Sequence, residues 1–75
     1  MRTYYSVDKK CLGRDGIIRC WFRDLAEAKE FARQDYTDNV VVHNVRNQDY
    51  VDSIEGHIAY QEENYSYFKK RRNVL

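Results

Sequence analysis

Seventy-five residues, 43% hydrophobic and 33% charged, with three glycines and no proline, leave room for one domain (residues 1–75) and one core. The 15% aromatic content argues against a disordered chain. No apolar run reaches membrane-span length and the start is unlike a signal peptide, so the expectation is a cytoplasmic protein with no membrane partner.

The net charge of +1 hides a segregation. Residues 1–23 hold six Lys/Arg against two Asp/Glu, net +4; residues 24–63 hold three against ten, net −7; residues 64–75 hold four against none, net +4. Such asymmetry bears on partners and association rates rather than on fold.

The first predicted unit is a β-hairpin. Tyr4, Tyr5, Val7 and Leu12 precede Gly13-Arg14-Asp15-Gly16, and Ile17-Ile18-Arg19-Cys20-Trp21-Phe22 is rich in strand formers. Asp-Gly suits a two-residue type I′ turn, which needs positive φ at both central positions. That turn sets Cys11 opposite Cys20, Lys10 opposite Trp21 and Asp8 opposite Arg23. Val7, Cys11, Ile18, Cys20 and Phe22 then share an inner face, with Lys9 as a misfit. Lys10, Leu12, Arg14, Arg19, Trp21 and Arg23 share the outer one. A four-residue loop from Gly13 to Gly16 is the rival; it separates the cysteines and sets Lys10 beside Arg19.

Asp24 follows as a helix N-cap with Glu27 at capping-box spacing, and Leu25, Ala28, Phe31 and Ala32 form a helical stripe. This helix is predicted to end near Asp35, before the turn-forming Tyr36-Thr37-Asp38-Asn39, and to cover the inner hairpin face. Val40 to Val45 reads as a central strand because both of its faces begin apolar. Arg46 to Asp52 reads as a loop. Gly56 to Gln61 and Tyr65 to Phe68 are expected as a fourth and a fifth strand, against a competing helix from Ile58 to Arg72. Residues 69–75 are expected to form a basic tail. The fold class is therefore α+β: an antiparallel sheet of three to five strands with one amphipathic helix packed on one face.

Chemistry is sparse in this pattern. Cys11 and Cys20 are expected as buried thiols, since cytosolic cysteines are mostly reduced. With His43 and His57 they match no metal-ligand spacing, and no phosphate-binding glycine loop occurs. No cofactor, metal or catalytic residue is expected; the chain reads as a binding module, not an enzyme. The candidate partner-binding residues are Lys10, Arg14, Arg19, Trp21 and Arg23 on the outer hairpin face, joined by Lys69, Lys70, Arg71 and Arg72. Trp and Arg are common at interface hot spots and also stack on bases and grip phosphates. The bland reading is a solvated face and a solvated tail. The many carboxylates of the middle segment oppose wrapping a duplex; they suit mimicry of nucleic acid toward a basic partner, although they are interspersed along the chain.

The order of hairpin, helix beginning Asp24-Leu25-Ala26-Glu27-Ala28-Lys29-Glu30-Phe31-Ala32, Val-rich strand and then Ile58-Ala59-Tyr60-Gln61-Glu62 resembles small phage-encoded anti-CRISPR proteins, over residues 3–68. The basic tail and the polar stretch from Arg46 to Asp52 depart from them. The resemblance implies a compact ββαββ domain and a stoichiometric viral inhibitor in the host cytoplasm. Such an inhibitor docks on a protein complex of a host defence system, such as a CRISPR effector complex, often where that complex grips nucleic acid. The alternatives are a direct DNA- or RNA-binding accessory protein using the basic residues, and a domain that self-associates through a sheet edge. Monomer and homodimer both fit.

Overall fold

The computed structural model describes residues 1–10, 16–33 and 39–72, apart from the side chains of Lys10 and residues 70–72. The elements run β1 (Arg2–Lys10), β2 (Ile17–Phe22), α1 (Leu25–Arg33), β3 (Val40–Val45), α2 (Gln48–Asn64) and α3 (Ser66–Arg72). The three strands form one antiparallel sheet in the order β2-β1-β3, giving the α+β class expected. The centre is β1, not β3 as predicted. The nine-residue β1 is long enough to pair on both sides, and the apolar start of β3 instead leaves Val41 and Val42 half exposed at an edge.

The hairpin forms in another register. Val7 faces Cys20, Ser6 faces Trp21 and Lys10 faces Ile17, so the predicted pairings of Cys20 with Cys11 and of Trp21 with Lys10 do not occur. Gly16 also lacks the positive φ that a type I′ turn at Asp15-Gly16 requires. Residues 11–15 lie outside the described residues. The physical reason is pairing along the strand. The tighter turn would have run β2 against residues 9–14, leaving Tyr5 and Val7 without partners on that side; the observed register sets them against Phe22 and Cys20. The displacement is four positions, an even number, so the division of β2 into two faces survives.

One face carries Tyr5, Val7, Lys9, Ile18, Cys20 and Phe22. As expected, α1 covers it: Asp24 accepts a hydrogen bond from the Ala26 amide at 3.1 Å, and Ala28, Phe31 and Ala32 are buried against Val7, Cys20 and Phe22. Lys9, the misfit, lays its ammonium 4.3 Å from the Phe31 ring centre, a cation–π contact that suits an amine at an apolar edge. Tyr65, Tyr67 and Phe68 of the C-terminal segment complete this cover.

The opposite face carries Tyr4, Ser6, Trp21, His43 and Val45, and it is not open to solvent. Helix α2 lies on it and buries Val51, Ile54 and Ile58 against Tyr4, Trp21 and Val45. The fourth and fifth strands are thus overturned: residues 56–61 lie in α2 and 66–68 in α3. The predicted loop from Arg46 to Asp52 shrinks to two residues. Asn47 Oδ1 accepts from the amides of Asp49 (2.8 Å) and Tyr50 (3.2 Å), an N-cap that starts a helix inside that polar stretch. From there Val51, Ile54, Ile58 and Gln61 recur at helical spacing, and local capping plus a ready apolar face outweigh the β-propensity of the tyrosines.

Candidate partner-binding surface

The predicted binding residues separate into three groups. Trp21 is only 7% exposed; its indole lies under α2 with the His43 ring 4.7 Å away, centroid to centroid, so the expected exposed indole is a core residue. Its backbone is held as well. The Gln61 side chain accepts from Trp21 N at 2.6 Å and donates to Trp21 O at 2.9 Å, which leaves no buried polar side chain unpaired among the described residues.

Arg19 and Arg23 are engaged rather than free. Arg19 forks onto Asp8 across the strand pair, at 2.8 and 3.3 Å, holding the Asp8 carboxyl below its usual range. Arg23 forks onto Glu55 of α2, which also accepts from the Tyr4 hydroxyl at 2.5 Å and faces Arg2 at 3.4 Å. The Arg23 hydrogen bonds first, and the Tyr4 hydroxyl second, lower the Glu55 carboxyl to about 2. Burial, reinforced by Glu55, raises Tyr4. This knot ties α2 to both β1 and the end of β2.

Lys10 ends β1 opposite Ile17, while its side chain and all of Arg14 lie outside the described residues. Lys69 to Arg72 form the second half of α3 rather than an extended tail, because Tyr67 and Phe68 anchor that segment against Phe31 and Phe22. Lys69 is exposed; the side chains of Lys70, Arg71 and Arg72 are outside the described set.

Two constellations invite a chemical reading. Ser6 Oγ lies 2.8 Å from His43 Nε2, with Asp8 two residues along β1. Ser6 is 1% exposed beneath α2, burial pushes His43 down, and the Asp8 carboxylate is committed to Arg19. The pair closes a buried polar contact, since no substrate atom reaches that hydroxyl. On the other face, a shallow cavity of about 360 Å³ is lined by Lys9, Ile18, Cys20, Phe31, Tyr65 and Phe68. Cys20 is buried there. Among the described residues no group of His, Cys, Asp and Glu is arranged to hold a metal ion, and no helix is long and apolar enough to cross a membrane.

The feature that composition left diffuse is the outer face of α2. Asp49, Tyr50, Asp52, Tyr60, Glu62 and Glu63 are exposed there, and residues 48–64 contain five Asp/Glu and no Lys or Arg. Tyr50 and Tyr60 are about half exposed. In the sequence these acids are spread between polar and aromatic residues; winding at 3.6 residues per turn gathers Asp49, Asp52 and Glu63, with Tyr60, opposite the Val51–Ile54–Ile58–Gln61 stripe, while Tyr50 and Glu62 lie on its flanks. The legible signal was Asn47 followed by that stripe.

No family model matches the chain, and no curated protein or solved structure gives a match.

Proposed function

We propose that this chain is a stoichiometric protein-binding inhibitor of the anti-CRISPR kind. It seats the acidic outer face of α2 on a basic surface with which a defence complex grips nucleic acid. The observation that carries the reading is that face: carboxylates interleaved with exposed tyrosines on a 17-residue helix that holds no cation. Carboxylates at that density complement an Arg/Lys-lined groove and steer encounter with it. Tyrosines supply rigid contact area at low entropic cost.

Direct nucleic-acid binding, the competing reading, loses three of the residues that favoured it: Trp21 is core, and Arg19 and Arg23 are paired with Asp8 and Glu55. The cations of α3 remain its basis. The test is an electrophoretic mobility shift with a panel of purified CRISPR effector complexes and their target DNA, run with and without the chain. The expected result is that near-equimolar chain abolishes the shift of one complex while leaving free DNA unshifted. A salt-sensitive shift of DNA by the chain alone, or no effect on any complex, overturns the proposal.

A further inference from the structure

The two edges of the sheet are finished differently. At the β2 edge, Gln61 occupies both backbone groups of Trp21 as a neighbouring strand would, so that edge is capped toward its C-terminal end by a side chain. At the other edge lies β3, Val-Val-Val-His-Asn-Val. It has no charge, no proline and no glycine to discourage pairing, and Val41 and Val42 are 51% and 54% exposed. An uncharged apolar edge of this kind is a template for another strand.

The hydrogen bonds of Trp21 also fix which groups of β3 face outward. In an antiparallel ladder the N–H and C=O of one residue point to the same side, and successive residues alternate. Trp21 gives its groups to Gln61, away from β1, so Ser6 opposite it turns its own toward β3, where its partner is Val41. Val41 and His43 therefore bond inward to β1, and Val40, Val42 and Asn44 present their backbone groups to the open edge.

We infer that this edge pairs antiparallel with β3 of a second copy of the chain, about a twofold axis at Val42, joining two three-stranded sheets into one. The choice of occupant rests on self-complementarity. With the axis at Val42, the pairs Val40–Asn44, Val42–Val42 and Asn44–Val40 each exchange two backbone bonds, about six in all. An axis one residue along, at His43, keeps only about four and sets His43 against itself. Two half-exposed valines meet on the α1 side, and Val41 meets His43 on the α2 side. No like charges oppose each other, since β3 holds no Asp, Glu, Lys or Arg. This surface is distinct from the α2 face, and either reading holds without the other.

Sedimentation of the full chain over a concentration series, paired with residue-resolved amide exchange, tests it. A monomer–dimer equilibrium is expected, with the amides of Val40, Val42 and Asn44 gaining protection as concentration rises while those of Val41 and His43, already bonded to β1, do not change. V42K places a lysine opposite itself at an exposed position and is expected to weaken dimerisation at least about tenfold, with the circular dichroism spectrum unchanged. A chain that stays monomeric to the order of 1 mM overturns the inference. So does a dimer whose concentration-dependent protection falls on Ile17 and Arg19, whose backbone groups face the other edge, or one indifferent to V42K.

Discussion

The two faces of the sheet are closed by different chemistry. Toward α1 the contact is apolar and aromatic: Val7, Cys20 and Phe22 meet Ala28, Phe31 and Ala32, and Phe68 and Tyr67 extend the ring cluster. Toward α2 an apolar centre of Tyr4, Trp21, Ile54 and Ile58 is framed by directed polar bonds. These are Gln61 on the Trp21 backbone, His43 on Ser6, and Glu55 on Tyr4 and Arg23. The first face holds by shape and transfer free energy; the second also needs particular atoms in particular places. The second face should therefore respond to pH and to isosteric changes that the first ignores.

The largest effect expected is from W21A, which removes a buried indole from the α2 face at a cost of about 3–5 kcal/mol. In a domain of this size that brings the chain close to unfolding. F31A should cost about as much on the other face, so urea unfolding midpoints of the two variants test whether both faces carry the fold. A Trp21 variant that stays fully stable would mean α2 does not cover the sheet.

Next comes Q61L, which keeps much of the side-chain volume but orphans the backbone N–H and C=O of Trp21, for about 1–3 kcal/mol and faster exchange of the Trp21 amide. No substitution confined to the α1 face should change that amide's exchange at matched stability.

The smallest effect is electrostatic. The Glu55 carboxyl lies at about 2 against an ordinary 4.5. Its stabilisation is therefore complete above pH 4.5 and lost as pH falls toward 2, because the unfolded chain takes up the proton first. With the arginine partners more than half exposed, the contribution is on the order of 1–2 kcal/mol. His43 is displaced downward by burial, so stability should begin to decline earlier, as pH falls below 6.5. E55Q should shrink the lower window to the part that Asp8, held low by Arg19, still contributes, and leave the upper one, as read by denaturant midpoints between pH 7 and pH 2.5.

The α1 face was legible because its signals are local and redundant. The Asp24 cap and the Ala28–Phe31–Ala32 stripe name both a helix and the side it buries, although Leu25, expected on the same stripe, is exposed at its first turn, and even the other hairpin register keeps Cys20 and Phe22 on that side. The α2 face was not. Its buried stripe includes a glutamine, its tyrosines favour strands, and Gly56 interrupts it, so period and propensity disagreed. The cover of Trp21 depends on contacts some 40 residues apart, such as Gln61 with Trp21, which no local pattern encodes. The engagement of Arg23 is non-local in the same way: its pairing with Glu55 follows only once α2 lies on the sheet.

The measurement that tests the central claim most directly is inhibition of an effector complex's DNA binding by two charge variants whose folds are first checked by circular dichroism. The account predicts that D49K/D52K/E63K raises the concentration needed for inhibition about 10–100-fold, while K69Q/K70Q in α3 leaves it unchanged. The reverse pattern, with inhibition lost on altering α3 and kept on reversing α2, would contradict it.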